Sequence, residues 1–497
     1  MKMKTSSPAT TAPYNGFDGQ YIAGAWRPGR GAAALADRDP YTGEVLTQIT
    51  LADRSDLDEA YASSAAAQRA WAASPPAERA GVLRRVVVIL ESRREEIITW
   101  LVREVGSTRL KAQLEWQTVH AQAVEAASLP YRVEGRILPI DIAGKESRVY
   151  RRPVGVIAVI SPWNWPMTLS HRSVGPALAL GNGVVLKPAD DTPVTGGLLI
   201  ARIYEEAGLP AGLFNVVVGA IEDIGDAMTL SDVPGLISFT GSTKVGRHIG
   251  CLATSAPMLK RVALELGGNS PLVVLDDADL DLAAAATVFG RFIHQGQICM
   301  SVNRVIAVDS IYDAFASKLA ERVRGLKCGD PRLQDTAIGP VINRRQMDVL
   351  KKRIAAARAA GFRELAGGEP KELVLPPHLF ADVPFDSDLA QSELFGPVLP
   401  LIRARDEDHA AQIANGTEYG LSSAVFTRDE RRGLRFAERL KVGMTHINDM
   451  TVNAAANAPF GGEKNSGLGR FGGDANIHEF TTEHWVTVQH AARPYPF

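Results

Sequence analysis

The stretch VGVIAVIS at residues 154–161 is short, almost entirely apolar and rich in β-branched side chains. Three runs of the same kind follow it, each succeeded by a turn and a helical pattern: GVVLK (183–187), NVVVG (215–219) and LISFT (236–240). Near-continuous apolar strands that alternate with helices predict a parallel sheet covered on both faces. Because right-handed crossovers join such strands, we predict an α/β fold with a Rossmann-like layout.

A second alternation of strands and helices follows this sheet. Apolar periodicity predicts strands at 271–275 and 302–308 and helices at 280–293 and 312–326. We therefore predict a second α/β domain. The stretch ELGGN, residues 265–269, separates the two alternations and is the predicted hinge.

The two ends of the chain differ from this centre. Residues 1–14 carry lysine, serine, threonine and proline without the apolar core of a signal peptide, which predicts a disordered tail. Residues 56–105 have apolar side chains at helical spacing. Residues 480–489 alternate like a strand with no nearby partner in the sequence, so we expect this strand to complete a sheet on another subunit.

Composition limits the class of protein. A chain of 497 residues is too long for one core, so two or three domains are expected. Lysine and arginine total 54 against 56 aspartate and glutamate, a balance that favours neither nucleic acid nor an anionic membrane as a partner. The sequence has no apolar run of about 18 residues, so we predict no membrane span.

The three cysteines, Cys251, Cys299 and Cys328, are too few for a disulfide framework. They share no metal-ligand spacing, and we predict no metal site. A reducing cytoplasm is the compartment that this cysteine usage favours.

Cys299 lies in QGQICMS (295–301), on a glycine-punctuated turn that follows an apolar helix. A thiol attacks a carbonyl group only as thiolate, and it needs a polar, positive or helix-terminal environment for that. Taken alone, this segment leaves two interpretations open, a nucleophile or a small buried apolar residue.

Two further polar residues suit chemistry at a carbonyl group. Glu265 lies between leucines and glycines in LELGGNSP, where partial desolvation is expected to raise its pKa towards that of a general base. Asn164 is the strong donor of the rigid loop SPWNWP, as an oxyanion hole requires. The alternatives are a hinge carboxylate for Glu265 and a turn-forming amide for Asn164.

A cofactor is suggested by GSTKVG (241–246), which connects a strand to a helix. Close backbone approach at a helix N-terminus suits a pyrophosphate, although two glycines alone are weak evidence. Lys187 follows a strand and is placed to hydrogen-bond a ribose. Asp190 is placed to accept from a ribose hydroxyl group and to repel a 2′-phosphate. A solvated lysine and an aspartate that precedes a helix are the alternatives.

Together these segments resemble the aldehyde dehydrogenase superfamily, and the resemblance covers nearly the whole chain. The matching segments, in the order of the family, are SPWNWP, GNGVVLKPAD, FTGSTKVG, LELGGNSP, QGQICMS, ELFGPV and PFGGEKNSGLGR. The resemblance implies that Cys299 is the nucleophile and that Glu265 activates the deacylating water. It also implies that Asn164 and the backbone N–H of Cys299 hold the oxyanion.

The resemblance further implies an NAD cofactor, a small-molecule aldehyde substrate and a homodimer or homotetramer. Cofactor positions fall on Ile160, Trp163, Lys187, Asp190, Gly225, Gly241, Ser242, Gly246, Glu393 and Phe395. The implied fold has a Rossmann-like NAD(P)-binding domain (15–130 and 151–265), an α/β catalytic domain (266–465) and a small β oligomerisation element (131–150 and 478–497). Asp190 stands where many NAD-preferring members carry glutamate, which leaves NADP use open.

A narrower resemblance, carried by the segments around Cys299 and by the closing PYPF, is to bacterial benzaldehyde, vanillin and salicylaldehyde dehydrogenases. Trp165 and Phe460 would line a slot for a flat ring, which favours an aromatic aldehyde over an aliphatic one or a semialdehyde. Arg172 departs from the family pattern. It is predicted either to orient a ring substituent in the substrate pocket or to form an outward ion pair.

Two other functions are weighed against hydrolytic aldehyde oxidation. In an acylating dehydrogenase the thioester passes to coenzyme A, and such relatives usually lack the glutamate found here at Glu265. A catalytically silent structural or binding member has no chemical need for Cys299, Glu265 and Asn164 together. Both alternatives are therefore disfavoured.

Overall fold

The computed structural model of the protein describes residues 12–497. Its strands are β1 (Gln20–Ile22), β2 (Ala25–Arg27), β3 (Ala34–Arg38), β4 (Val45–Thr50), β5 (Arg136–Ile137), β6 (Lys145–Pro153), β7 (Val156–Ile160), β8 (Gly183–Lys187), β9 (Phe214–Val216), β10 (Pro234–Thr240), β11 (Arg261–Glu265), β12 (Pro271–Val274), β13 (Arg304–Val308), β14 (Arg363–Ala366), β15 (His378–Ala381), β16 (Val398–Ala404), β17 (Tyr419–Gly420), β18 (Ser422–Phe426), β19 (Met444–Ile447), β20 (Glu463–Lys464), β21 (Gly467–Leu468) and β22 (Thr481–Gln489).

Helices connect and cover these strands. They are α1 (Arg54–Ala73), α2 (Pro76–Ser92), α3 (Arg94–Val105), α4 (Arg109–Ser128), α5 (Pro166–Ala179), α6 (Leu199–Glu206), α7 (Asp226–Leu230), α8 (Thr243–Ser255), α9 (Leu280–Phe292), α10 (Asp309–Arg324), α11 (Arg344–Ala359), α12 (Asp388–Gln391), α13 (Glu407–Asn415), α14 (Glu430–Ala437) and α15 (Gly473–Phe480). Several begin at side-chain caps, as α1 does at the capping box of Asp53 and Asp56.

The predicted Rossmann-like sheet is confirmed. In the order β2-β1-β9-β8-β7-β10-β11-β21, the five strands from β9 to β11 run parallel. Alternate residues of β7 enter two separate buried clusters, Ile157 and Val159 on one face and Val156 and Ala158 on the other. Both faces are therefore covered, as the continuous apolar runs predicted.

The second α/β sheet is also confirmed, with the order β14-β15-β16-β13-β12-β18-β19. All its pairs are parallel except β14 with β15. The strand predicted from Val302 begins only at Arg304, because the N–H of Val302 donates to Gly290 and that of Asn303 to Ser270. The predicted hinge connects β11 of the first sheet to β12 of the second.

The C-terminal strand has a partner in its own chain. β22 pairs antiparallel with β6 over nine residues, and β5 adds a third strand on the other side of β6. The prediction that this strand has no sheet to join within its own chain is therefore wrong, and its pairing with another subunit stays a prediction. The pairing of 131–150 with the C-terminal segment is found, and the outer edge of β22 has no partner among residues 12–497.

The start of the described chain is attached to the first domain. Residues 1–11 of the predicted disordered tail lie outside the described residues. Tyr14, at the end of that predicted tail, stacks under the Arg93 guanidinium group at 3.5 Å, and its N–H donates to Glu96. Between residues 12 and 497, no helix combines the length and apolarity needed to cross a bilayer.

Candidate active site

The segment between α9 and β13, residues 293–303, is called the Cys299 loop below. It begins with a strained turn at the end of α9. His294 and Gln295 both have left-handed backbone angles, with φ of 51° and 56°, and Gly296 follows at 72°. For a non-glycine residue this conformation costs about 1–2 kcal/mol. The Gln295 amide offsets part of that cost by donating to the carbonyl group of Pro340 at 2.7 Å. The turn breaks the helix and presents Cys299 on the following loop.

The hinge packs directly against this loop. A Cβ atom at Gly268 would lie 2.1 Å from the carbonyl oxygen of Cys299, a distance that no side chain tolerates. Glycine at this position lets the backbone of the second domain approach the end of β11. Glu265 ends that strand three residues before Gly268, and its carboxyl group is close enough to Cys299 to affect the pKa of the thiol.

The electrostatic setting of Cys299 favours the neutral thiol. Burial raises the pKa of this thiol to about 12, and the carboxyl groups of Glu393 and Glu265 act in the same direction. The positive charge of Arg172 and the N–H of Met300 oppose them. The resting residue is therefore protonated, and a neighbouring base must accept its proton before it can attack.

Glu265 has the environment that its sequence context predicted. Its side chain is buried, and burial raises its pKa to about 8, with Arg172 and Arg470 acting in the opposite direction. Neither carboxyl oxygen has a hydrogen-bonding partner within residues 12–497. A Cβ atom at Gly461 would lie 3.0 Å from this carboxyl group, so the glycine leaves space beside it. A carboxyl group with this pKa can exchange protons near neutral pH.

Asn164 is buried at the carboxyl end of β7 and faces the Cys299 loop. Its amide nitrogen donates to the carbonyl group of Gln297 at 2.9 Å. The second hydrogen of that amide remains for a ligand. Asn164 and Cys299 line the same cavity, so the donor and the sulfur share one space.

The cavity has a volume of about 730 Å³ and lies between α4, α5 and the loops around Met450 and Phe460. Of the residues predicted to line a substrate pocket, Trp165, Arg172 and Phe460 all border it. Most of the other lining side chains are apolar, and the sequence analysis did not single them out; they include Leu169, Phe289, Met300, Met450 and Phe471. Such a cavity suits an apolar ligand with one polar end.

Arg172 lies inside the protein and has no ion pair within the described residues. Its side chain is 7% exposed, it donates to the Thr240 hydroxyl group at 2.8 Å, and its guanidinium group contacts the rings of Phe460 and Phe471. Its Nε has no partner in the described chain. The alternative of an outward ion pair is therefore wrong, and a positive charge lies at the cavity wall.

A second site is formed at the carboxyl ends of the parallel strands. Ile160 and Lys187 are paired as the last residues of β7 and β8. Ser242 caps α8 after β10 and accepts the N–H of Val245, while the other N–H groups of that first turn have no acceptor within the helix. The Nζ of Lys187 contacts Asp190 at 2.8 Å. Exposed helical N–H groups beside a lysine and an aspartate fit a pyrophosphate and a ribose.

The two remaining residues predicted to hold the cofactor, Glu393 and Phe395, lie between α12 and β16. Phe395, in a left-handed conformation at φ 48°, packs edge-on against Trp163 with the ring centroids 5.4 Å apart. Glu393 accepts the N–H of Gly268 at 2.9 Å, and burial raises its pKa to about 7. The cofactor residues predicted in ELFGPV therefore meet those of SPWNWP.

The three predicted cofactor glycines serve packing. A Cβ atom would lie 2.3 Å from Leu266 at Gly246 and 2.5 Å from the Phe239 ring at Gly241. At Gly225, which precedes α7, it would lie 3.0 Å from Ile221. Glycine at Gly246 thus brings α8 close to the sheet, the role of the last glycine in a dinucleotide motif.

The sequence analysis missed a buried ion pair beneath the Asn164 loop. Lys111 and Glu115 of α4 are both fully buried and contact each other. Their spacing of four residues is also that of a solvent-exposed helical pair. The sequence therefore carried no signal that this pair is buried.

Known proteins resemble this chain in sequence and in structure over nearly its whole length. Residues 26–486 match the aldehyde dehydrogenase family. A vanillin dehydrogenase of Corynebacterium glutamicum is 49% identical over 96% of this chain and 99% of its own, and the benzaldehyde dehydrogenase YfmT of Bacillus subtilis is 48% identical over 97% and 99%. The crystal structure of an NAD-dependent benzaldehyde dehydrogenase from Corynebacterium glutamicum has a TM-score of 0.90 and 46% identity over 98% of this chain and 100% of that one.

The match extends to more distant structures. A betaine aldehyde dehydrogenase from Staphylococcus aureus, solved in complex with NAD+, has a TM-score of 0.93 at 29% identity, over 96% of both chains. A family match of this length, together with relatives of such identity, leaves no other assignment. The chain belongs to the aldehyde dehydrogenase family.

Proposed function

We propose that the protein oxidises an aromatic aldehyde to the carboxylic acid with NAD, through a thioester on Cys299. The observation that carries the proposal is the cavity in which the Cys299 sulfur and the Asn164 amide face an apolar wall, with the buried Glu265 carboxyl group across the hinge. The vanillin and benzaldehyde dehydrogenases above support the substrate class.

Acylation begins when the thiol proton is removed, with Glu265 as the base in this proposal. The thiolate attacks the aldehyde carbon, a carbon–sulfur bond forms, and negative charge develops on the aldehyde oxygen. The Asn164 amide and the backbone N–H of Cys299 donate to that oxygen. When bound, the nicotinamide ring supplies the acceptor for the hydride that leaves the aldehyde carbon.

Glu265 releases the proton taken from the thiol to solvent and is then again a carboxylate for deacylation. Loss of hydride leaves a thioester, whose carbonyl oxygen keeps the same two donors. Water gives a proton to the Glu265 carboxylate and attacks the carbonyl carbon, and the carbon–sulfur bond breaks. The products are the carboxylic acid and the Cys299 thiolate. A buried base beside the sulfur favours hydrolysis over transfer to coenzyme A.

The cofactor assignment rests on the strand-end site. We assign Lys187 and Asp190 to the adenosine ribose, the first turn of α8 to the pyrophosphate, and Glu393 and Phe395 to the nicotinamide half. An aspartate facing the ribose disfavours a 2′-phosphate, so NAD is the proposed cofactor. NADP is the second candidate, because the side chain of aspartate is shorter than that of glutamate.

We also propose a homodimer or homotetramer built on the β5–β6–β22 sheet. The register places Ile137, Tyr150 and Val488 on one face of this sheet, and all three are exposed. The outer edge of β22 offers backbone groups for a further strand. A second copy of the chain is the proposed occupant. We further propose that residues 15–130 and 151–265 form the NAD(P)-binding domain and that residues 266–465 form the catalytic domain. The cytoplasm is the proposed location of the enzyme.

A substrate panel tests the proposed function. The protein is mixed with NAD or NADP and with benzaldehyde, vanillin, salicylaldehyde, hexanal or succinic semialdehyde, and reduced cofactor is followed by absorbance. We expect kcat/KM for the best aromatic aldehyde to exceed that for either aliphatic one by about tenfold or more. A higher value for an aliphatic aldehyde overturns the substrate class. Failure to reduce either cofactor with any aldehyde favours a silent member.

A further inference from the structure

The start of α5, immediately after Asn164, lacks an ordinary cap. Trp165 stands at the N-cap position and provides no side-chain acceptor, and Pro166 follows as the first helical residue. The N–H groups of Met167 and Thr168 would therefore be unsatisfied inside the protein, which is costly for buried donors.

Glu115 of α4 satisfies both groups. Its Oε1 accepts the N–H of Met167 at 3.0 Å and that of Thr168 at 3.2 Å. A carboxylate at a helix N-terminus also interacts favourably with the helix dipole. A side chain from another helix thus fixes the first turn of α5.

Lys111 fixes Glu115 in turn. Its ammonium group donates to the other carboxylate oxygen, and both side chains have no exposed surface. The same ammonium group lies 4.8 Å from the centre of the Trp165 ring. One buried ion pair therefore holds Trp165, Met167 and Thr168, all within four residues of Asn164.

The Lys111–Glu115 ion pair is called the clamp below. Asn164 lies between the clamp and the Cys299 loop. Its amide donates to Gln297, two residues before the cysteine. A shift at the start of α5 would move the amide relative to the sulfur, and displacements of about 1 Å in such groups are costly to catalysis.

On this geometry, and resting on the proposed function, we propose that Lys111 and Glu115 are positioning residues that hold the Asn164 amide where the oxyanion forms. They act through the Asn164 amide, since they touch neither Cys299 nor the cofactor site, and acylation is the first step in which that amide stabilises an oxyanion. The proposal goes beyond helix capping because it predicts which rate constant depends on them.

Two double variants isolate the clamp. Lys111→Met/Glu115→Gln removes both charges and keeps an acceptor for Met167 and Thr168, whereas Lys111→Met/Glu115→Leu removes the acceptor as well at similar volume. Replacing both partners avoids an unpaired buried charge, which would itself destabilise the protein. Each is also made with Asn164→Ala, and thermal unfolding and NAD affinity are measured for all.

The measurement is the pre-steady-state burst of reduced cofactor with benzaldehyde and NAD. We expect Lys111→Met/Glu115→Leu to acylate about 10- to 100-fold more slowly than wild type, and Lys111→Met/Glu115→Gln to stay within about threefold. The difference should vanish in the Asn164→Ala background, because the clamp then has no amide to place. Iodoacetamide labelling of the Cys299 peptide, read by mass spectrometry, should not change.

Three results would overturn the proposal. Equal bursts from the two double variants would remove the role of the acceptor. A difference that persists without the Asn164 amide would show a general structural effect instead. If wild-type protein forms no reduced cofactor, the proposed function fails, and the positioning role fails with it.

Discussion

At the scale of single residues, Cys299 combines a reactive position with an unreactive resting state. Its pKa of about 12 keeps the proton on the sulfur at neutral pH, and nearby carboxyl groups reinforce this. The thiol is thus protected from oxidation until a base removes its proton, because the thiolate is the form that oxidants attack.

Replacing Cys299 tests the nucleophile. Cys299→Ala should lower kcat by about 10⁴-fold or more, because no covalent intermediate can form. NAD affinity, measured by fluorescence titration, should remain within about twofold, since the strand-end site is untouched. Cys251→Ala is the matched control, because that thiol is exposed and lies outside the cavity. A Cys299→Ala enzyme with wild-type turnover would refute the assignment.

Glu265 should give the reaction a characteristic pH dependence. The base form of a carboxyl group with a pKa of about 8 is scarce at pH 6 and predominates above pH 8. Deacylation should therefore accelerate as pH rises and level off above about pH 8. Single-turnover hydrolysis of the thioester, measured across this range, reports the effect.

The matching variant separates the two half-reactions. Glu265→Gln should lower steady-state turnover by about 10²- to 10⁴-fold and remove the pH dependence of deacylation. Above about pH 9 only a small fraction of Cys299 is thiolate without the base, so one equivalent of reduced cofactor should form slowly and the thioester should persist. Unchanged steady-state turnover in this variant would exclude Glu265 as the base.

At the scale of elements, a buried acidic pair connects β3 with α3. Glu104 accepts the N–H groups of Val194 and Thr195 at 2.7 and 2.8 Å and so caps the turn before α6. Asp37 lies beside it, with neither carboxyl oxygen hydrogen-bonded within residues 12–497, and burial raises its pKa from 3.8 to about 7.

The free energy of unfolding should decrease with pH because of Asp37. The unfolded chain loses this proton near pH 4 and the folded protein only near pH 7, so stability falls between these values and then levels off. Asp37→Asn should stabilise the protein more at about pH 8 than at about pH 5, by about 2–3 kcal/mol, which is measured as a larger increase in melting temperature at the higher pH. Asp58→Asn, at an exposed ion pair, is the control. A pH-independent difference would contradict the assignment.

Sequence patterns predicted the elements that carry a strong local signal. The runs that became β7, β8 and β10 are long enough and apolar enough to identify a covered parallel sheet. The edge strands β2 and β21, of three and two residues, have no such pattern, because backbone pairing alone defines them. The partner of β22 was predicted only from the family resemblance, because alternation fixes the faces of a strand and carries no information on its register.

The same limit applies to the active site. Cys299, Glu265 and Asn164 stand in segments whose composition already suggests chemistry. Lys111 and Glu115 stand in no such segment. Their spacing does not reveal burial either, because a buried pair and a surface pair have the same spacing. Only three-dimensional packing shows that α5 needs an acceptor from α4.

At the scale of the whole molecule, the face of the small sheet predicts assembly. Ile137 is 78% exposed, and Tyr150 and Val488 share its face. Ile137→Lys/Val488→Lys should convert the proposed dimer or tetramer into smaller species, because two more positive charges beside Arg148 on this face would repel those of the facing copy, and opposed like charges cost several kcal/mol. Light scattering after size exclusion measures the mass, with Leu259→Lys as an exposed control outside this sheet. A monomeric wild-type protein would contradict the prediction.

The contact between Gly268 and the Cys299 carbonyl group also limits protein engineering. A residue larger than glycine at position 268 would push the Cys299 loop away from the end of β11, so this position tolerates little variation. Helix α4 forms another part of the cavity wall, away from the hinge. Its lining side chains, such as Gln117, Thr118 and Ala121, can be substituted without moving the Cys299 sulfur. Libraries aimed at new aldehydes should therefore diversify this helix face and leave the interdomain joint intact.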